Sequence, residues 1–248
     1  MVCYAVVALG DLSTHFSNDY FDVGLDRVAP RKTFGGSNLL VGRADLMPSA
    51  LGAAKLLSLA SVALAVLAAA VGVSPLIIPL AIAANALGWL YSLPPFRFAY
   101  RGFGEAAIAV GTGFGVPAAG YLAVKGSLDS GFMLFLAALV LYGFVLGLSL
   151  ELPDVEADRA GGKMNLVARF GWRACLRLAL LLCASSTLML VLFSGAAMAV
   201  ASIVPLAAVL LGNVFASDDG RRLDAVATGM ILSLFAFLVA SVGSLLSL

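Results

Sequence analysis

The chain has 248 residues and a formal net charge of +1. Hydrophobic residues make up 62% of it and charged residues 12%, about half the charge of an average soluble domain. With a mean hydropathy of +1.04, this balance excludes a water-soluble globule and a basic field for nucleic acid, and it predicts a polytopic membrane protein.

In chain order, the apolar segments run over 2–18, 51–73, 75–93, 104–124, 130–150, 173–194, 196–215 and 224–247. Each approaches the roughly 20 apolar residues that a helical span needs. The start, "MVCYAVVALGD", has no basic n-region and meets Asp11 early, so it reads as a first span and not as a signal peptide. Three joints, "GVSP" (72–75), "GTGFGVPAAG" (111–120) and "SGAA" (194–197), leave boundaries free to shift by several residues. Cys3, Cys175 and Cys183 lie in or beside apolar segments without metal-ligand spacing, so no disulfide is expected. The expected fold is all-α: a polytopic helical membrane bundle of about eight transmembrane helices, forming one domain over 1–248.

The connections alternate between long polar loops (19–50, 94–103, 151–172, 216–223) and short ones near 73–75, 125–129 and 194–197. Of 15 Lys and Arg residues, only Lys125 is on the short-loop side, leaving 15 − 1 = 14 in or beside the long loops. The positive-inside rule therefore puts the long loops in the cytoplasm. Met1 then starts outside with almost no polar flank, and the expectation is that one helix before this first span is absent.

Two acidic clusters fall on the long-loop side. In "SNDYFDVGLDRVAPRK", Asn18, Asp22 and Asp26 are spaced i, i+4, i+8. Each four-residue step turns about 40° past a full helical turn, so the three side chains share one face along about 12 Å of rise. Asp19 lies about 100° away. Oxygens stacked in this way repel unless a cation joins them, and hard oxygens at a membrane mouth suit Mg²⁺. The second cluster, "ELPDVEADRAGGK", repeats the i, i+4 spacing as Asp154 and Asp158, with Glu151, Glu156, Arg159 and Lys163 nearby. Two carboxylate pairs opposed across one cavity, with cations beside them, would make a two-metal diphosphate site.

Asp11 and His15 extend the first stripe into the bilayer, where ionisable residues face a cavity or a partner. They either touch a second substrate, one of them as proton acceptor, or bond each other. "GWLYSLPPFRFAYRGFGE" places Tyr91 near the mouth and Arg97 and Arg101 in the loop after a helix-stopping double proline. These arginines either contact diphosphate or form an interfacial belt, and Glu105 is expected to pair with one of them. Trp89 and Trp172 read as belt residues, and Asp218 and Asp219 as parts of a solvated turn.

These motifs resemble the UbiA superfamily of membrane prenyltransferases. Asn18, Asp19, Asp22 and Asp26 match that family's NDxxDxxxD pattern, and Asp154 and Asp158 match its DxxxD pattern. "YSLPPFRFAYRGFGE" and "PDVEADRAGGKMNLVARFG" also read as family signatures. "KTFGGSNLLVGR" and "DRAGGK" are similar to segments of the 1,4-dihydroxy-2-naphthoate prenyltransferases of menaquinone biosynthesis, although Asn38 stands where Gly is expected. The family usually has nine spans, with its first acidic motif ending the second, which accords with a missing first helix.

The resemblance implies transfer of a polyprenyl group from an isoprenoid diphosphate to an aromatic acceptor. Mg²⁺ would be held by Asn18, Asp22, Asp26, Asp154 and Asp158, the last four also being the catalytic carboxylates. Lys32, Arg97, Arg101 and Lys163 would stabilise the leaving diphosphate, Tyr91 would shield the allylic cation, and Asp11 or His15 would meet the acceptor. Other acceptors, a 4-hydroxybenzoate-type ring or an archaeal glycerol lipid, stay open. A membrane transporter is the competing class, although transporters usually bind near the midplane between repeats, and no repeat is visible here.

Overall fold

The computed structural model describes residues 1–28 and 38–246. Lys32 and the Gly-Gly-Ser segment, expected to bind substrate and to mark the subfamily, lie outside these residues. Among the described residues every regular element is helical. Eight long helices follow one another: α1 (Val2–Val28), α2 (Met47–Ala70), α3 (Ile77–Ser92), α4 (Gly104–Lys125), α5 (Ser130–Glu151), α6 (Trp172–Phe193), α7 (Ala196–Phe215) and α8 (Gly220–Leu246).

Six of these, α2 and α4 to α8, are long and apolar enough to cross a membrane, and α3 is a shorter apolar helix. Apolar side chains cover much of the outside, Leu59, Leu181, Phe193 and Val239 among them. In water such a surface would aggregate; in lipid it is the solvated face. α1 differs from the expected span by continuing ten residues past position 18 to Val28. The acidic stripe is thus part of one uninterrupted helix and does not begin a loop.

Packing divides the bundle. α5 to α8 share the larger core, built from residues such as Leu148, Leu176, Val209 and Phe237. α1 to α4 share a smaller one around Cys3, Val6, Ala65, Ile77 and Ala119. α4 joins the two groups, touching α1 and α3 on one side and α5 on the other.

The stretch "GTGFGVPAAG" does not break α4. Residues Ala109–Gly115 form a π-helical turn, and Pro117 sits in the first turn of the α-helix that follows, where its missing N–H is tolerated. Gly113 lets this turn lie directly on α5, since a Cβ there would come 2.5 Å from the Leu139 carbonyl oxygen. Gly143 answers from α5, where a Cβ would lie 2.9 Å from Ala109 Cα. This close approach fixes how α5, and the acidic residue at its end, stands against α4.

Candidate active site

A cavity of about 380 Å³ lies between α1, α3, α4 and the end of α5. Its wall along α1 runs from Asp26 to Val6, taking in Asp22, Asp19, Asn18, His15 and Asp11. From Asp22 to Val7 the helix rises about 22 Å. At the deep end the lining is apolar, with Val6, Val7, Ile77, Leu80 and Ala119. At the other end Asp154, Glu151 and Lys163 face the first acidic stripe. The structure thus brings both clusters to one opening, as their positions in the sequence predict.

The two clusters are positioned differently. Asp22 is almost buried and accepts hydrogen bonds from Ser92 Oγ at 3.2 Å and Tyr100 Oη at 3.0 Å. The Tyr100 phenol is pushed up from its ordinary pKa by burial and by the Asp22 carboxylate, so it stays a donor. Arg97 stacks over the Tyr100 ring, with its guanidinium carbon 5.1 Å from the ring centroid. Its backbone is left-handed, with φ +44°, in the loop that follows the double proline. Neither Arg97 nor Arg101 lines the cavity. Among the described residues Lys163 is the one Lys or Arg that does.

In the second cluster, Asp154 immediately precedes the short helix Val155–Ala160 and lines the cavity, whereas Asp158, on that helix, is buried off the lining. Asn165 Nδ2 donates to both Asp158 Oδ2, at 2.6 Å, and Glu151 Oε2, at 2.7 Å. Lys163 Nζ donates to both oxygens of Glu151, at 3.0 and 3.1 Å, and lies 3.7 Å from Asp158. Tyr91 Oη reaches Glu151 at 3.4 Å. Burial pushes the Asp158 carboxyl up to about 8, against the pull of Lys163 and with the help of Glu151. The carboxylates around Lys163 outweigh its burial and hold its ammonium pKa well above the ordinary lysine value.

Other expectations fare unequally. Asp11 and His15 contact each other at 3.6 Å, yet their side chains stay 67% and 69% exposed on the cavity side, so pairing does not take them off the wall. Glu105 does not pair with Arg97 or Arg101. Its Oε1 accepts the backbone N–H of Leu166 at 2.7 Å, because the base of α4 abuts the start of the helix Leu166–Phe170 and its unsatisfied amides. Trp172 donates to Asp218 at 2.8 Å, with Arg173 bonded to the same carboxylate at 2.9 Å. That exposed cluster lies away from the cavity. The cysteines are free and buried, as expected.

Sequence reasoning passed over Ser92, Tyr100 and Asn165, and counted Glu151 only as added charge. Asn165 had one local signal, since it also caps Leu166–Phe170 by accepting from Ala168 N at 2.7 Å. The bonds from Ser92 and Tyr100 to Asp22 span 70 and 78 residues and leave no trace in spacing.

An all-helical membrane bundle with an acidic-mouthed, apolar-floored cavity is the class that fold and site define. A model of the UbiA prenyltransferase family matches residues 1–239. No curated protein matches the chain. Among solved structures, a UbiA homologue from Aeropyrum pernix K1 is similar over 98% of this chain and 88% of its own, with 17% identity and a TM-score of 0.75. A UbiA homologue from Archaeoglobus fulgidus, solved with DMAPP and Mg²⁺, is similar over 95% and 87%, with 16% identity and a TM-score of 0.66. A digeranylgeranylglyceryl phosphate synthase covers 96% of this chain and 82% of its own, with 15% identity and a TM-score of 0.68. The chain belongs to the UbiA prenyltransferase family, and it is an integral membrane enzyme that transfers prenyl groups.

Proposed function

We propose that this prenyltransferase takes an isoprenoid diphosphate as donor, with Mg²⁺, and 1,4-dihydroxy-2-naphthoate as acceptor. The observation that carries the donor reading is the shape of the cavity. It joins an oxygen-rich mouth to an apolar floor, matching a molecule with a charged head and an oily tail. The acceptor reading is supported by the "KTFGGSNLLVGR" and "DRAGGK" segments.

The residues at the mouth fit Mg²⁺. Asn18, Asp19, Asp22, Asp26 and Asp154 supply hard oxygens to one wall or its opposite, and Asn18 Oδ1 is buried without a hydrogen-bond partner. Among the described residues no three His, Cys, Asp or Glu side chains form a ready cage, as suits an ion that keeps waters and shares substrate phosphate oxygens. When bound, Mg²⁺ would neutralise the charge that builds on the departing diphosphate. Lys163 adds a fixed positive charge at the same place. Ser92 and Tyr100 hold Asp22 in one orientation. Tyr91, tied to Glu151, presents its ring to the cavity, where it can shield the allylic cation formed as the C–O bond breaks. The apolar lining keeps water from that cation. The acceptor ring then forms the new carbon–carbon bond, and decarboxylation accompanies transfer. Asp11 and His15 line the cavity, and on this reading they would meet the acceptor's polar groups. Arg97 and Arg101 lie outside the cavity lining, and Arg97 packs on the Tyr100 ring that donates to Asp22. The basic loops, and with them the mouth, face the cytoplasm.

A second acceptor class, a glycerol lipid, is favoured by the likeness to the digeranylgeranylglyceryl phosphate synthase fold. Membranes carrying the chain, supplied with a prenyl diphosphate, Mg²⁺ and either acceptor, separate the two. Prenylated naphthol is the expected product. Prenylation of the glyceryl acceptor alone would overturn the naphthoate reading, and diphosphate release with no prenylated product would overturn both.

A further inference from the structure

Glu151 closes α5 at the mouth of the cavity, 4% exposed, and is the one charged side chain of that helix. A carboxylate there is costly unless paired and hydrogen-bonded. It is bonded on every side: twice to Lys163, once to Asn165 and once to Tyr91. These partners lie on two separate pieces of chain. Tyr91 comes from α3, while Lys163 follows the acidic helix Val155–Ala160 and Asn165 starts the next one. Asn165 is fully buried and spans Glu151 and Asp158 with one amide nitrogen. Lys163 is the long, flexible member. Without Glu151 its ammonium would keep only the looser 3.7 Å contact with Asp158 and be free to turn along the cavity wall.

We propose that Glu151 is a positioning residue, which acts through Lys163 by holding its ammonium at the cavity mouth toward the donor's diphosphate, with Asn165 locking Glu151 to Asp158. This rests on the donor reading above. On this account Glu151 contacts neither the metal nor the substrate. Its effect on catalysis passes through the lysine.

A double-mutant cycle on the full-length enzyme in nanodiscs tests it, with geranylgeranyl diphosphate, Mg²⁺ and whichever acceptor supports turnover. Glu151→Gln and Lys163→Met should each lower kcat/KM for the donor by about 30-fold, chiefly through KM. The double variant should lie within about threefold of Lys163→Met, because once the ammonium is gone Glu151 has nothing left to position, and its removal relieves an unpaired buried charge. Losses that multiply in the double variant would show that Glu151 acts on its own and would overturn the proposal. So would losses in kcat alone that track a fall in Tm, the mark of a purely structural role. Should Glu151→Gln not fold, Glu151→Asp keeps the charge and shortens the reach; donor KM should then rise by about three- to tenfold, and an unchanged KM overturns the proposal. If the wild-type enzyme turns over no prenyl diphosphate, the donor reading fails and takes this inference with it. If the wild type is active and the cycle multiplies, the inference fails alone.

Discussion

The two acidic clusters reach the same cavity by opposite means. The first is written on a single continuous helix, where four-residue spacing alone aligns Asn18, Asp22 and Asp26 along α1. The second is assembled from a helix end, a short helix and the start of another, and Asn165 and Lys163 hold it together. The first should therefore tolerate loss of its tertiary partners and fail when a carboxylate is removed. The second should fail when either a carboxylate or its scaffold is removed.

The sharpest test of that contrast removes one carboxylate from each side. Asp22→Ala and Asp154→Ala should each lower the prenyl-transfer rate by about 10²–10³-fold, measured as product formed at saturating donor. Full activity in Asp22→Ala would remove the first stripe from the site. Next comes the scaffold. Asn165→Ala leaves two buried acids without their shared donor and should cost about 1–3 kcal/mol, read as a lower Tm in detergent. An unchanged Tm would show that the second cluster is as self-supporting as the first.

Gly113→Ala probes the placement of α5, which carries Glu151. Its methyl group would meet the α5 backbone, at a cost of about 1–3 kcal/mol. Gly111→Ala, two residues away and pointing into open space, should cost less than about 0.5 kcal/mol, and equal Tm losses in the two variants would argue against the close α4–α5 contact. Smallest is Tyr100→Phe, which removes one donor to Asp22 and should slow transfer by about two- to tenfold. A larger loss there would mean that the first cluster leans on tertiary contacts as much as the second does.

The same contrast explains what could be read from the sequence. The helical fold, the span positions and the first stripe follow from hydropathy and periodicity, both local properties. Hydropathy alone ended the first span at position 18, since the acidic residues that line the cavity resemble the start of a polar loop, and only their four-residue spacing carried the helix on toward Val28. Glu105 shows the limit of charge pairing by proximity in sequence. Arginines stand four and eight residues before it, but the helix base points it at the Leu166 amide 61 residues on. Glu151 and Asn165 were invisible as a pair because their meaning lies in a contact and not in a spacing. Lys163, singled out as a diphosphate partner, does reach the cavity, but in the grip of a carboxylate that no spacing rule connects to it.

The central claim is that both clusters serve one Mg²⁺–diphosphate site. The direct measurement is the Mg²⁺-dependent affinity of the purified protein for a prenyl diphosphate, compared among wild type, Asp22→Asn and Asp154→Asn. Mg²⁺ should tighten binding in the wild type and have little effect in either variant. A variant that keeps the full Mg²⁺ enhancement would contradict the account, since it would place that cluster outside the site.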